Sequence, residues 1–268
     1  MLVLLPFLII GLGVSAGVCS AAGFSGIWLA VMLLVLFAAA FAGALLLFAL
    51  LLAVLSAFVN KDKPQPVPSR FFHGLTGYAL GLITTLFRIR LHVSGTELLP
   101  EGRWLLVCNH RSSFDPIVTG WALRDKKLAF ISKPENLQIP IAGQILHKAG
   151  YLPIDRENDR AALRTILAAS ERMKAGSVSY GIYPEGTRHA EEEMLPFRNG
   201  AFKIAQKAGT PIVIAAVRGT DDVKKNAPWR ATDVYLDVCR VLDAETVCKA
   251  KTAEIGEEVR RCIISADT

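Results

Sequence analysis

The sequence predicts an α/β fold, a mixed sheet flanked by helices and preceded by an N-terminal transmembrane helical hairpin. Three observations predict it. Residues 1–60 contain no Asp, Glu, Lys, Arg or His, so all 30 basic and 24 acidic residues lie from Lys61 onward. Beyond that point short apolar runs alternate with helix-periodic stretches, as layered α/β domains do. Polar clusters stand directly after apolar runs, where open α/β sheets place their ligands.

A helix needs about 20 apolar residues to cross the hydrocarbon core of a bilayer, and residues 27–58 supply more than that without a charge. Residues 2–17 are apolar too but are interrupted by Pro6, Gly11, Gly13 and Gly17. That stretch spans, re-enters or lies against its neighbour, and a hairpin is the expected arrangement. A cleaved signal peptide is disfavoured because no Lys or Arg precedes Lys61 to form a positive n-region. Between Lys61 and Ser94 five Lys and Arg stand against one acid, Asp62. By the positive-inside bias the following domain lies on the cytoplasmic face of the cell membrane.

Residues 61–69 (KDKPQPVPS) hold three prolines and read as an extended linker. Residues 70–90 are mostly apolar with Arg70, His73, Arg88 and Arg90 at the edges, the composition of an interfacial amphipathic helix; a core helix is the competing reading. Residues 91–268 form the α/β domain. Strands are expected at 104–108, 128–131, 151–154, 178–183, 212–217 and 234–241. Helices are expected at 116–124, 134–148, 158–175 and 201–208, with 244–265 closing the chain. In the third of these helices Leu163, Ile166, Leu167 and Met173 share one face.

The densest polar cluster, Asn109, His110, Arg111, Ser112, Ser113, Phe114, Asp115, Pro116, follows the apolar run WLLVC. Alone, Asp115 before Pro116 reads as a helix cap, and alone His110 is an ordinary histidine. Together they admit another arrangement, because four intervening residues can fold back and bring the carboxylate to one imidazole nitrogen. The other nitrogen is then a general base with its tautomer set. Two further clusters, GYLPIDR with Asp155 and Arg156 and YPEGTR with Glu185 and Arg188, suit a phosphate. Arginine matches phosphate oxygens with a planar fork of donors, and Gly186 permits close backbone approach. Pairing of each Arg with its neighbouring acid is the plainer alternative.

Other chemistries fit less well. Gly11, Gly13 and Ala16 mimic a dinucleotide fingerprint, but no acid follows for about 45 positions where one is expected about 20 on. No Gly-x-Ser-x-Gly elbow is present. His110, Asp115, Glu185 and His189 lack metal-ligand spacing. Cys19, Cys108, Cys239, Cys248 and Cys262 show no pairing or ligand pattern and read as reduced thiols. A net charge of +6 suits an anionic membrane surface, anionic substrates or an acidic carrier protein. With neither a recognition motif nor a dense basic tract, nucleic acid is not an expected partner.

From about Gly95 to Val217 the chain resembles the glycerolipid acyltransferases, most of all the bacterial 1-acylglycerol-3-phosphate acyltransferases. The family's Asn-His-x4-Asp block stands as Asn109, His110 and Asp115. Its Gly-x-x-x-Ile-Asp-Arg block stands as Gly150, Ile154, Asp155 and Arg156, and its Pro-Glu-Gly-Thr-Arg block as Pro184, Glu185, Gly186, Thr187 and Arg188. Lys133, Pro140, Gly143, Phe197, Gly200 and Ala201 also fall where similar sequences have like residues. The departure is Ile214, at a position where the family usually has a second Pro after Pro211; it bears on the pocket wall more than on the reaction.

The resemblance implies an acyltransferase that needs no metal or organic cofactor. Its substrates would be lysophosphatidic acid and an acyl thioester of acyl carrier protein or coenzyme A. His110 and Asp115 would be catalytic, and Asn109, Lys133, Arg156, Glu185, Gly186, Thr187 and Arg188 substrate-binding, with Glu185 orienting Arg188 or the acceptor. Membrane lipid would be a partner, because both acceptor and diacyl product belong in the leaflet. The nearest alternatives are another lysophospholipid or a lyso amino-acid lipid as acceptor, and a lipid hydrolase or phosphatase using the same pair.

Overall fold

The computed structural model describes residues 2–61, 63, 65–187 and 194–267. It forms two compact units, residues 1–60 and 61–268.

In the first unit α1 (Leu5–Ala22) and α2 (Gly26–Ala57) are joined by a turn in which Gly23 has φ 68°. Pro6 sits in the first turn of α1, where its missing N–H breaks no helical bond. The glycines do not interrupt α1. Phe7, Gly11, Ser15 and Cys19 instead form its buried stripe, one residue per turn. A Cβ at Gly11 would lie 2.9 Å from the Phe37 ring, and Phe7 meets Phe41 and Phe48 edge-on at 6.3 and 6.0 Å. Elsewhere both helices are apolar all round, with Leu34 70% exposed. Both are long and apolar enough to cross a bilayer, and their outward apolar surface is what lipid would cover.

The second unit opens with α3 (Arg70–Leu86), which runs into an edge strand, β1 (Ile89–Ser94). The strand overlaps the stretch expected to be helical up to residue 90. Arg88 takes φ 54°, a left-handed turn that ends the helix and redirects the chain, and the alternation Ile89, Leu91, Val93 then makes the strand. Helix α3 packs on the body of the domain: a Cβ on Gly81 would meet the Trp121 ring at 2.6 Å, and one on Gly120 would meet Leu80 at 2.7 Å.

There follow β2 (Leu105–Cys108), α4 (Asp115–Ala122), β3 (Leu128–Ser132), α5 (Ala142–Lys148), β4 (Leu152–Pro153), α6 (Asp159–Lys174), β5 (Ser179–Ile182) and α7 (Lys203–Ala208). The chain closes with β6 (Ile212–Arg218), α8 (Val223–Asn226), β7 (Thr232–Leu242), α9 (Ala244–Lys249) and α10 (Thr252–Asp267). The seven strands lie in the order β1-β7-β6-β2-β5-β3-β4, parallel throughout except where β7 meets β6. Strands β2, β5 and β6 are central and buried, which is why they read as unbroken apolar runs.

Three expected helices differ in detail. The stretch 134–148 breaks at Pro140, which has no N–H to give, and Ile141 at φ 67°; a 3-10 turn (Pro134–Leu137) precedes α5. The closing stretch divides into α9 and α10. The Gln206 amide donates to Val247 O and Ala250 O at the end of α9, and Glu254 accepts the Lys251 N–H at the start of α10. In α6 the buried face is Ile166, Ala169, Ser170 and Met173, leaving Leu163 and Leu167 47% and 42% exposed.

The described residues of the proline-rich segment 61–69 are not a free linker. They dock on α5 and α6: Arg172 Nη2 donates to Gln65 O (2.5 Å), Lys148 Nζ to Gln65 Oε1 (2.8 Å), and Ser69 N to Lys148 O (2.9 Å).

Candidate active site

The carboxyl ends of three adjacent parallel strands, β6, β2 and β5, converge on one place, the position at which such sheets hold ligands. Strand β2 delivers Asn109 and His110, β5 delivers Tyr183 to Gly186, and β6 delivers Gly219 and Thr220.

His110 and Asp115 meet. Nδ1 of His110 is 2.8 Å from Asp115 Oδ2, and the same oxygen accepts the backbone N–H groups of Arg111 and Ser112, each at 2.8 Å. The other oxygen, Oδ1, accepts from the Thr220 hydroxyl at 2.5 Å. The carboxylate is fully buried. It does not cap α4: that helix begins at Asp115 itself, and the side chain turns back toward the loop. A carboxylate offers only acceptors, so Nδ1 carries the proton and Nε2 presents a lone pair. Among the described residues Nε2 has no hydrogen-bond partner, and the His110 side chain keeps 17% exposure.

The imidazole is held on its face as well. It stacks on Tyr183 with centroids 4.5 Å apart, and Tyr183 stacks in turn on Phe130 at 5.8 Å. Burial pushes the Tyr183 hydroxyl and the Cys108 thiol well above their ordinary pKa values. Both are therefore protonated near neutral pH.

Two residues expected to touch substrate have other partners. The Asn109 amide donates to Val217 O (2.9 Å) and accepts from Val217 N (2.8 Å), so its side chain clamps β2 to β6. The buried Glu185 carboxylate accepts the His110 N–H (2.7 Å) and the Leu195 N–H (3.3 Å), tying the loop after β5 to the loop that carries His110. It orients the backbone of His110.

Next to that loop is a cationic pocket. Gly186 takes φ 79°, and a Cβ there would lie 3.2 Å from both Arg156 Nη1 and Arg198 Nε. Burial, with the neighbouring Arg198 charge, lowers the Arg156 pKa, while Glu135 partly offsets this. Two like charges side by side favour an anion between them. The cavity they border has a volume of about 510 Å³, with Lys203 also on its wall and Ile154, Leu163 and Ile182 supplying apolar surface. Arg156 and Gly186 thus come together as the motifs suggest. Thr187 is exposed beside them, and Lys133 is exposed just after β3. Arg188 and His189 lie outside the described residues. Arg198 and Thr220 went unnoticed in sequence; their only signals are a base beside the Gly200-Ala201 helix start and a Gly-Thr pair at the end of an apolar run.

Known proteins resemble this chain in sequence and fold. Residues 90–218 match the family described as Acyltransferase. The chain is 31% identical over 201 residues to the 1-acyl-sn-glycerol-3-phosphate acyltransferase of Salmonella typhimurium, an alignment covering 68% of this chain and 81% of that one. The enzyme of that name from Escherichia coli is 31% identical over 199 residues, with 68% and 81% covered. That from Saccharomyces cerevisiae is 26% identical over 200 residues, covering 73% and 63%. The crystal structure of the 1-acyl-sn-glycerophosphate (LPA) acyltransferase from Thermotoga maritima superposes with a TM-score of 0.55 at 22% identity, over 82% of this chain and 96% of that one, and so shares the fold. Motifs, fold and relatives together make the chain a member of the glycerolipid acyltransferase family, in the branch that holds the bacterial 1-acyl-sn-glycerol-3-phosphate acyltransferases.

Proposed function

We propose that this enzyme transfers a fatty acyl group from an acyl thioester to the free hydroxyl of 1-acylglycerol-3-phosphate, forming phosphatidic acid for phospholipid synthesis. The observation that carries the reading is the His110–Asp115 pair, whose carboxylate is saturated by donors while Nε2 has no partner among the described residues. Nε2 takes the acceptor's hydroxyl proton as that oxygen bonds to the thioester carbonyl carbon. The tetrahedral intermediate collapses, the carbon–sulfur bond breaks, and the departing thiolate takes the proton back from His110. Asp115 stabilises the imidazolium between the two steps. Arg156 and Arg198 bind the acceptor phosphate, with Arg188, Thr187 and Lys133 as further contacts, and the apolar wall beside them takes up acyl chain.

The donor is the thioester of acyl carrier protein or coenzyme A; the basic surface suits both, one being acidic and the other polyanionic. Helices α1 and α2 span the cell membrane, and residues 61–268 lie on its cytoplasmic face. Helix α3, with Phe71 60% exposed beside Arg70, lies at the lipid interface. The charge-free first 60 residues support the span, and the five Lys and Arg against one acid between Lys61 and Ser94 support the cytoplasmic face.

The test is product formation by the detergent-solubilised protein given lysophosphatidic acid and a labelled long-chain acyl thioester. Phosphatidic acid from the native protein and none from His110→Ala is expected. Equal product from both would remove His110 as the base. Release of free fatty acid or inorganic phosphate with no acyl donor present would instead make the protein a hydrolase.

A further inference from the structure

A second cavity, of about 820 Å³, lies between segment 61–67 and the outer faces of α5 and α6, and shares no lining residue with the cavity at Arg156. Its walls carry Lys61, Lys63, His147 and Arg172, with Lys148 close by, and its floor is apolar, with Val67, Leu137 and Leu152. None of these cations is in an ion pair among the described residues. Lys61 Nζ donates to Leu137 O (3.1 Å), Lys148 Nζ to the Gln65 amide oxygen (2.8 Å), and Arg172 to Gly150 O, the Tyr180 hydroxyl and Gln65 O. Their partners are neutral oxygens, and the acid that the cavity wall carries, Glu171, is paired with Lys174 (3.1 Å), so among the described residues these cations have no anionic partner. Burial, and then the charges of Arg172, Lys148 and Lys61, hold the His147 pKa below its ordinary value, whereas a backbone carbonyl opposes the shift.

We propose that this cavity is a binding site for the headgroup of an anionic phospholipid, separate from the catalytic centre. The phosphodiester would sit among Lys61, Lys63 and Lys148, and the glycerol and upper acyl carbons on the apolar floor. A lipid is favoured over a soluble anion for two reasons. The floor is apolar, and Lys61 and Lys63 follow in sequence directly on the charge-free first 60 residues, where basic residues meet anionic lipid. Such a ligand bridges the docked segment to the body of the domain, stapling down the stretch that leads out of the membrane helix. The site does not depend on the reaction assigned to His110.

The test is native mass spectrometry of the full chain in mild detergent with phosphatidylglycerol, phosphatidylcholine or inorganic phosphate added at equal concentration. One phosphatidylglycerol adduct is expected, well above phosphatidylcholine and phosphate. At roughly fivefold per basic residue near an anionic lipid surface, the Lys63→Gln/Lys148→Gln double variant should weaken that adduct about 25-fold. Its melting temperature and its turnover of lysophosphatidic acid, both unchanged, would show that the fold and the catalytic cavity are intact. An adduct retained by the double variant but lost in Arg156→Gln would locate the lipid in the catalytic cavity and overturn the proposal. Equal retention of the zwitterionic lipid, phosphate bound as well as the lipid, or no adduct at all would overturn it too.

Discussion

The two halves of the active site are built in opposite ways. Around Asp115 every carboxylate oxygen is already bonded, and the histidine is held by a hydrogen bond on one edge and a tyrosine ring on one face. Around Gly186 two guanidiniums face the same space, and burial together with the Arg198 charge lowers the proton affinity of Arg156. The first region has its working geometry before any ligand arrives, as a base must if its lone pair is to be aimed. The second carries electrostatic stress that an anion would relieve. Loss of a group in the first should therefore fall on kcat, and loss of one in the second on KM.

The largest expected effect is that of His110→Ala, with kcat falling by about 10²- to 10⁴-fold, the usual contribution of a general base. Asp115→Asn should reduce kcat by a similar order while leaving KM within a few-fold, read by steady-state kinetics with lysophosphatidic acid. If KM alone rose, the carboxylate would belong to substrate binding and the contrast would fail. Next come Arg156→Ala and Arg198→Ala. Loss of a charge-assisted contact of about 1.5–3 kcal/mol corresponds to a KM increase of about 10- to 150-fold, with kcat changed far less.

Asn109→Ala sharpens the comparison from the side of stability. It strands the Val217 N–H and C=O in the core, at about 1–3 kcal/mol for each unsatisfied group, and should appear as a lower thermal midpoint of the solubilised protein. The smallest effect belongs to Tyr183→Phe. The Tyr183 hydroxyl is buried beside the Thr119 side chain, with no hydrogen bond of good geometry among the described residues, so its removal should leave kcat unchanged and stability little altered. Tyr183→Leu, which removes the ring that backs His110, should lower kcat. If Phe fails as badly as Leu, the hydroxyl has a role that the stacking does not explain.

What the sequence disclosed follows from how far each contact reaches along the chain. His110 and Asp115 are five positions apart, and their meeting was legible because one loop contains both. The central strands were legible because burial on both faces leaves only apolar residues. Thr220 was not, since it reaches Asp115 across 105 positions through the pairing of β6 with β2. The structural roles of Asn109 and Glu185 were hidden for the same reason: their partners are backbone groups, which leave no mark on residue identity. Strand β1 was concealed by the apolar helix before it, until the left-handed Arg88 separates the two.

The free cysteines have a practical consequence. Cys108 is buried immediately before the catalytic loop, and Cys248, on α9, is the one exposed thiol of the five. A reagent that alkylates exposed thiols will therefore mark the protein without touching the reaction centre. Added to sealed vesicles of known orientation, a membrane-impermeant maleimide becomes a reporter of sidedness in the unaltered chain. Labelling only when the cytoplasmic surface faces outward would place residues 61–268 there, and labelling from the opposite surface would invert the topology.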